Sequence, residues 1–173
     1  QFVLPANVPA NEFLNFEGQK FSKSRGWGID VDEFLEAFPA DTLRYALALN
    51  LPEFRDADFT WRDFQARTNN ELADILGNFV NRTLTFTHKN FHGMVPPAGE
   101  LSPLDREFVA LLQGVPKTAG DLLDRYRFRD AVLEIMNLAR SANKYFNDSM
   151  PWKTLQENPG RCATTLHCAL QTI

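Results

Sequence analysis

The spacing of apolar residues changes along this chain, and each change predicts an element. Two prolines between Leu4 and Ala10 hold a lead-in segment extended. In Glu12-Phe13-Leu14-Asn15-Phe16 the apolar positions have strand-like spacing, Glu17-Gly18 can turn, and Gln19-Lys20-Phe21 resumes the pattern, so a short β-hairpin is predicted. After Gly26 and Gly28 the period becomes helical: Val31, Phe34, Leu35 and Phe38 share one face, with Asp30 or Asp32 placed to cap and Pro39 to stop. Asp41 is the expected cap of a second short helix, Thr42 to Asn50, which Leu51-Pro52 breaks. Asp56 to Trp61 reads as polar and irregular.

No proline interrupts Arg62 to Asn90, where Leu72, Ile75, Leu76, Phe79, Val80, Leu84 and Phe86 recur at helical spacing; one long helix is predicted. A turn with Gly93, Pro96, Pro97 and Gly99 leads to Ser102-Pro103, a cap with proline in the first helical position. The helix that follows runs towards Arg127, and Pro116 should kink or interrupt it. Phe128, Ala131, Val132, Ile135, Leu138, Ala139, Ala142, Tyr145 and Phe146 then form a continuous stripe ended by Met150-Pro151-Trp152, and Asn158-Pro159 opens a last helix. Helices joined by short connections pack antiparallel. The expected fold is mainly α: an antiparallel helical bundle preceded by a short β-hairpin and linker helices.

Composition narrows the functions. With 44% hydrophobic and 23% charged residues, the 173-residue chain has an ordinary globular balance, and no run of about 18 apolar residues could span a bilayer, so a membrane partner is not expected. A net charge of -4 gives no global attraction for polyanions, and contact with nucleic acid would need a local patch or specific shape. Two cysteines, Cys162 and Cys168, cannot form a disulfide framework and fit a reducing, cytoplasmic setting. They lie six residues apart, on different faces of a helix, and with His88, His92 and His167 they match no zinc spacing; no metal site is expected. Asn81-Arg82-Thr83 and Asn147-Asp148-Ser149 fit the glycosylation pattern, a match that arises readily by chance. Gln1 in place of methionine, and a helical pattern still running at Ile173, read as a piece of something larger.

Three groups of residues can carry chemistry. Lys20, Lys23, Ser22 and Ser24 lie in a loop bounded by Gly18 and Gly26, where ammonium groups and hydroxyls can hold a polyphosphate. No Walker loop is present, and on local chemistry alone a solvated basic turn is the more common outcome of such a cluster. Asn78 and Arg82, four apart, project from one helical face and can hydrogen-bond base edges, or can be an ordinary polar pair on a surface. Trp152 can stack on a base or pack at a helix end. Phe59, Trp61 and Phe64 are expected in the core rather than as a stacking platform.

Lys20-Phe21-Ser22-Lys23-Ser24 resembles the KMSKS signature of class I aminoacyl-tRNA synthetases, with phenylalanine in place of methionine. The phrases FPADTLRYAL, DADFTWRDFQARTNNELADILGNFVNRTLTF and SMPWK are similar to the C-terminal part of the methionyl-tRNA synthetase family, and the resemblance covers nearly the whole chain. It implies part of a ligase that activates methionine with ATP, carrying Mg as its usual counter-ion, and attaches it to methionine tRNA. In that family the signature loop closes over ATP, which makes Lys23 the first phosphate contact and Lys20 the next, in electrostatic roles. Ser22 and Ser24 would order the loop or add hydrogen bonds to ATP.

Asn78, Arg82 and Trp152 match the family's anticodon-reading positions. The resemblance implies residues 1–26 as the end of a catalytic domain, 27–61 as connecting helices of the stem-contact kind, and 62–173 as a helical anticodon-binding domain cut short at its C-terminus. The family's HIGH-type signature is missing, so the chain alone is expected to be inactive. The alternatives are the equivalent piece of another class I synthetase, a non-catalytic tRNA-binding helical module, and a structural bundle with no RNA partner.

Overall fold

A computed structural model describes residues 3–173. The predicted hairpin is formed by β1 (Leu14–Phe16) and β2 (Gln19–Lys20), antiparallel, with Phe16 opposite Gln19. Glu17 and Gly18 take positive φ in the turn between them, the conformation a tight two-residue hairpin needs. The segment expected to be irregular contains instead β3 (Ala57–Phe59), which pairs parallel to β1 and completes a sheet of order β2-β1-β3. Its partner is distant in sequence and only Phe59 is buried, so local alternation carries almost no trace of it.

Helices α1 (Val31–Ala37) and α2 (Ala40–Leu49) follow the hairpin. Asp30 caps α1, accepting from the backbone N–H groups of Asp32 and Glu33 at 2.9 and 3.2 Å. Asp41 is not the cap of α2. That helix starts two residues earlier, at Ala40, with Pro39 at the cap position, and Asp41 lies in the first turn paired to Arg44 at 2.8 Å. A carboxylate in the first turn still complements the helix dipole. Phe16, Phe34, Ala46, Phe59 and Phe64 make the core beneath the sheet, as expected for Phe59 and Phe64. Trp61 covers it, stacked on Phe34 with centroids 5.8 Å apart.

The long helical run is continuous but not uniform. Helix α3 (Trp61–Arg67) passes into a ten-residue π segment (Thr68–Gly77) and then into α4 (Asn78–Phe91). The wider turn shows where Asn78 N–H donates to the Ala73 carbonyl, five residues back. Packing holds it open: Asn143 donates from Nδ2 to the Ile75 carbonyl at 2.8 Å. A side chain at Gly77 would place its Cβ 3.0 Å from the Leu72 carbonyl oxygen, so this position favours glycine. Apolar spacing cannot separate π from α over a few turns, which is why one plain helix was expected.

Helix α5 (Pro103–Leu123) opens on a capping box between Ser102 and Asp105, and Pro116 lies inside it without ending it. An interior proline costs about 3 kcal/mol. Pro116 itself is exposed, while Phe108, Val115 and Ala119 on the same helix are buried, and that burial offsets the cost. Helix α6 (Phe128–Ser149) buries Ala131, Ala139, Ala142, Tyr145 and Phe146 of the predicted stripe, leaves Phe128 and Ile135 exposed, and ends at Met150 in the left-handed conformation. Pro151 then begins a helix as well as ending one: α7 (Pro151–Glu157) precedes α8 (Pro159–Leu170). Helix α8 is central. Both Cys162 and Cys168 are buried free thiols in its packing, so two different faces are covered at once. No described helix is long and apolar enough to cross a membrane.

Two polar networks lock the elements together. Tyr45 of α2 donates its hydroxyl to Glu71 in the π segment, which also faces Arg67 at 4.0 Å and Arg140 of α6 at 3.4 Å. Burial, and then the Glu71 carboxylate, push the Tyr45 hydroxyl well above its ordinary range. In the bundle, fully buried Asp105 accepts from Tyr145 at 2.6 Å, Arg161 at 2.5 Å and Ser102 at 2.7 Å. Burial alone would raise the Asp105 pKa, but the Arg161, Tyr145 and Ser102 hydrogen bonds overcome it and hold the carboxyl below its usual value.

Candidate functional site

The lysine–serine loop is built by short-range contacts. Ser22 and Trp27 exchange backbone hydrogen bonds of 2.8 and 3.0 Å, closing a neck around a 3-10 turn at Lys23–Arg25. Gly26, at φ 61°, ends that turn and donates to the Lys23 carbonyl at 3.1 Å. Trp27 Nε1 donates to the Phe16 carbonyl at 3.0 Å, which ties the neck to β1. Phe21 stacks on Phe16 with centroids 5.8 Å apart and anchors the loop on the hairpin. A Cβ at Gly28 would meet Phe21 Cδ1 at 3.0 Å, so the ring's seat depends on glycine there.

This anchoring leaves the polar groups outward. Lys23, Ser24 and Arg25 are exposed, and Ser22 Oγ lies 3.3 Å from Ser24 Oγ. Among the described residues Lys23 makes no ion pair, and it lines an open cleft of about 630 Å³ with Ser22, Gly26 and Gly28. Asp30 and Glu33 also line it. Lys20 is not brought into this cleft: it sits on β2 with Nζ 4.9 Å from the centroid of the Phe13 ring. The four residues are neighbours, yet the geometry separates the two lysines into one facing the cleft and one resting on an aromatic face.

The second constellation joins distant parts of the chain. Asn78 and Arg82 are exposed on α4, and Trp152, with 47% of its surface exposed, stands at the start of α7. What links Arg82 to Trp152 is Phe146, near the end of α6. The Arg82 guanidinium lies 5.0 Å from the Phe146 centroid, and the Phe146 and Trp152 rings are 6.3 Å apart at 46°. Arg82 also donates to Asn147 Oδ1 at 2.9 Å. Such a guanidinium is held in place on a ring and an amide, with donors left over for a ligand. Asn78 makes no side-chain hydrogen bond among the described residues and shares the α4 face with Arg82.

Trp152 is set by its own turn. Met150 at φ 43° redirects the chain, Pro151 is buried, and Cys162 Sγ donates to the Pro151 carbonyl at 3.4 Å. Burial raises the Cys162 thiol above its ordinary pKa and keeps it a neutral donor. Phe146 and Asn147 were missed as site residues. Phe146 is spaced like any other member of the α6 stripe, and Asn147 shows only as a glycosylation match; their contact with α4 appears once the helices are packed. Among the described residues no three His, Cys, Asp or Glu side chains gather as a metal group.

Comparison with known proteins finds matches in both halves of the chain. Residues 1–84 match the family described as tRNA synthetases class I (M), and residues 95–173 match the anticodon binding domain of methionyl tRNA ligase. The methionine–tRNA ligase of Salinibacter ruber is 53% identical over 98% of this chain, and that of Porphyromonas gingivalis 54% identical over 98%. The chain spans about a quarter of the length of these relatives, 24% and 25% respectively. Among solved structures, Mycobacterium tuberculosis methionyl-tRNA synthetase in complex with methionyl-adenylate superposes with a TM-score of 0.87 at 30% identity, over 94% of this chain and 33% of that one.

Proposed function

Because the chain belongs to the methionyl-tRNA synthetase family, we propose that it works as part of an enzyme that activates methionine with ATP and joins it to methionine tRNA. In this reading residues 62–173 recognise the anticodon, residues 1–26 close over the ATP phosphates, and residues 27–61 connect the two. The observation that carries it is that Arg82 and Trp152 each contact the Phe146 ring, since α4, α6 and α7 each supply one member. An exposed indole stacks on an unpaired base for about 1–3 kcal/mol. The fixed guanidinium of Arg82 and the amide of Asn78 supply hydrogen bonds to base edges or phosphate.

Lys23 is proposed as the phosphate contact, with Ser22 and Ser24 adding hydroxyl donors. Lys20 reaches phosphate in this account once its side chain leaves Phe13. These groups neutralise charge on ATP, accompanied by Mg, and move no proton. The chain holds about a quarter of the length of its relatives, so methionyl-adenylate formation is assigned to the longer protein and not to this chain alone. A reducing, cytoplasmic setting belongs to the same proposal and is supported by the two free buried thiols. The test is a titration with a stem-loop carrying the CAU anticodon against one with a changed anticodon. Tighter binding of the CAU loop supports the reading, and equal binding of both contradicts it.

A further inference from the structure

Phe13, the residue before β1, lies outside the lysine–serine motif and has 62% of its surface exposed. Its backbone is nevertheless fixed from two sides: its N–H donates to Asp56 Oδ1 at 3.0 Å, and its carbonyl accepts from Ala57 N–H at 3.0 Å. Lys20 stands opposite Asn15 across the hairpin, which makes Phe13 its diagonal neighbour on the same face of the sheet. That register brings the ammonium over the ring, 4.9 Å from the centroid. We propose that Phe13 is a positioning residue for phosphate binding: its ring parks Lys20 until ATP arrives, and so sets how readily this lysine joins Lys23. The inference rests on the phosphate reading of Lys20 in the preceding subsection.

The ring is the partner that the fold leaves to Lys20. Among the described residues Lys20 forms no ion pair. Asp58, the carboxylate in register with it, lies beyond Asn15 on β3, about 10 Å across the sheet, and both its oxygens accept from Gly18 N–H at 3.0 Å. Asp56 is held by the Phe13 backbone itself. A carboxylate in the place of the ring would neutralise the ammonium and compete with phosphate for it. An aromatic face holds the cation yet leaves its charge and its N–H donors available to an incoming anion.

The two lysines are therefore controlled separately. Lys23 is carried on a turn closed by the Ser22–Trp27 neck and already lines the open cleft. Lys20 sits on a strand whose pairing with Asn15 fixes its backbone, so its move from ring to phosphate is a change of side-chain rotamer. The Phe13 contact then sets the fraction of molecules in which Lys20 is free, and apparent affinity falls with that fraction. At an exposed site a contact of this kind shifts such an equilibrium about two- to fivefold.

Two measurements test this, with Phe13→Leu, which removes the ring, and Phe13→Trp, which offers the cation a stronger one. Both variants keep the backbone bonds of Phe13 and should fold normally. In proton–carbon NMR spectra of the chain, the Lys20 ε-methylene signal should carry a ring-current shift that Phe13→Leu abolishes. In the longer protein that contains this segment, kcat/KM for ATP in methionine-dependent pyrophosphate exchange should rise about two- to fivefold with Phe13→Leu and fall with Phe13→Trp. In a Lys20→Met background neither substitution should have a further effect. A merely structural role for Phe13 predicts a loss in both variants, whether or not Lys20 is present, and that result would overturn the proposal. So would a Lys20 signal indifferent to Phe13→Leu. If Lys20→Met alone leaves the exchange unchanged, the phosphate reading of Lys20 falls and the role of Phe13 with it; if Lys20→Met lowers the exchange while the two Phe13 variants do not diverge, only the parking role falls.

Discussion

The lysine loop and the anticodon face are assembled in opposite ways. The first takes its groups from adjacent residues, closes itself by the Ser22–Trp27 bridge, and presents Lys23 with no ion-pair partner among the described residues. The second takes single residues from α4, α6 and α7 and fixes them against one another before any ligand arrives. A charge that neutralises phosphate needs reach, so a free side chain on a short loop serves it. A surface that distinguishes bases needs fixed spacing, and fixed spacing has to be supplied by a packed core.

The largest expected effect therefore lies under the anticodon face. Asp105→Ala strips Arg161 and Tyr145 of their common acceptor and should lower the unfolding free energy by roughly 3–5 kcal/mol, measured by denaturant titration. The same carboxylate predicts an acid limit. Its pKa is held below an ordinary aspartate's 3.8 in the folded chain, so its stabilisation is complete above that value and is lost as pH falls through the lower, folded pKa. Denaturation midpoints followed below about pH 4 should drop more steeply in the unmodified chain than in Asp105→Asn, which has no carboxylate to titrate there.

Trp152→Ala should come next, costing about 1–3 kcal/mol in stem-loop affinity with little change in stability because the ring is half exposed. Asn147→Ala, which frees the Arg82 guanidinium without removing it, should weaken the stem-loop by about 1 kcal/mol. Isothermal titration with both stem-loops separates a loss of affinity from a loss of discrimination. The smallest effect is expected across the comparison: Lys23→Ala should leave stem-loop affinity within experimental scatter, since its loop lies outside the anticodon face. A loss matching that of Trp152→Ala would mean that the two regions share one RNA surface.

The same contrast explains what could be read in advance. The hairpin, α1, α2 and most of the α6 stripe follow from local spacing, and the lysine loop could be delimited because all of its members are contiguous, although its phosphate role came from resemblance. Strand β3 was not, because Ala57–Phe59 becomes a strand through β1, far back in the chain. Helix α7 was missed because a proline after a helix signals an end, while here Pro151 is also the first residue of the next helix. Asn78, Arg82 and Trp152 came from resemblance; local chemistry left each of them open to a plain surface or packing role. Phe146, the residue that brings two of them together, carries no signal of its own beyond apolar periodicity.

The central claim is that Arg82 and Trp152 act as one unit across Phe146. A double-mutant cycle on stem-loop binding, comparing Arg82→Ala, Trp152→Ala and the pair, measures that directly. The account predicts a coupling of about 0.5–3 kcal/mol for CAU-containing RNA, with the double variant losing less than the sum of the two single losses. Strictly additive losses, with no coupling beyond about 0.3 kcal/mol, would contradict it.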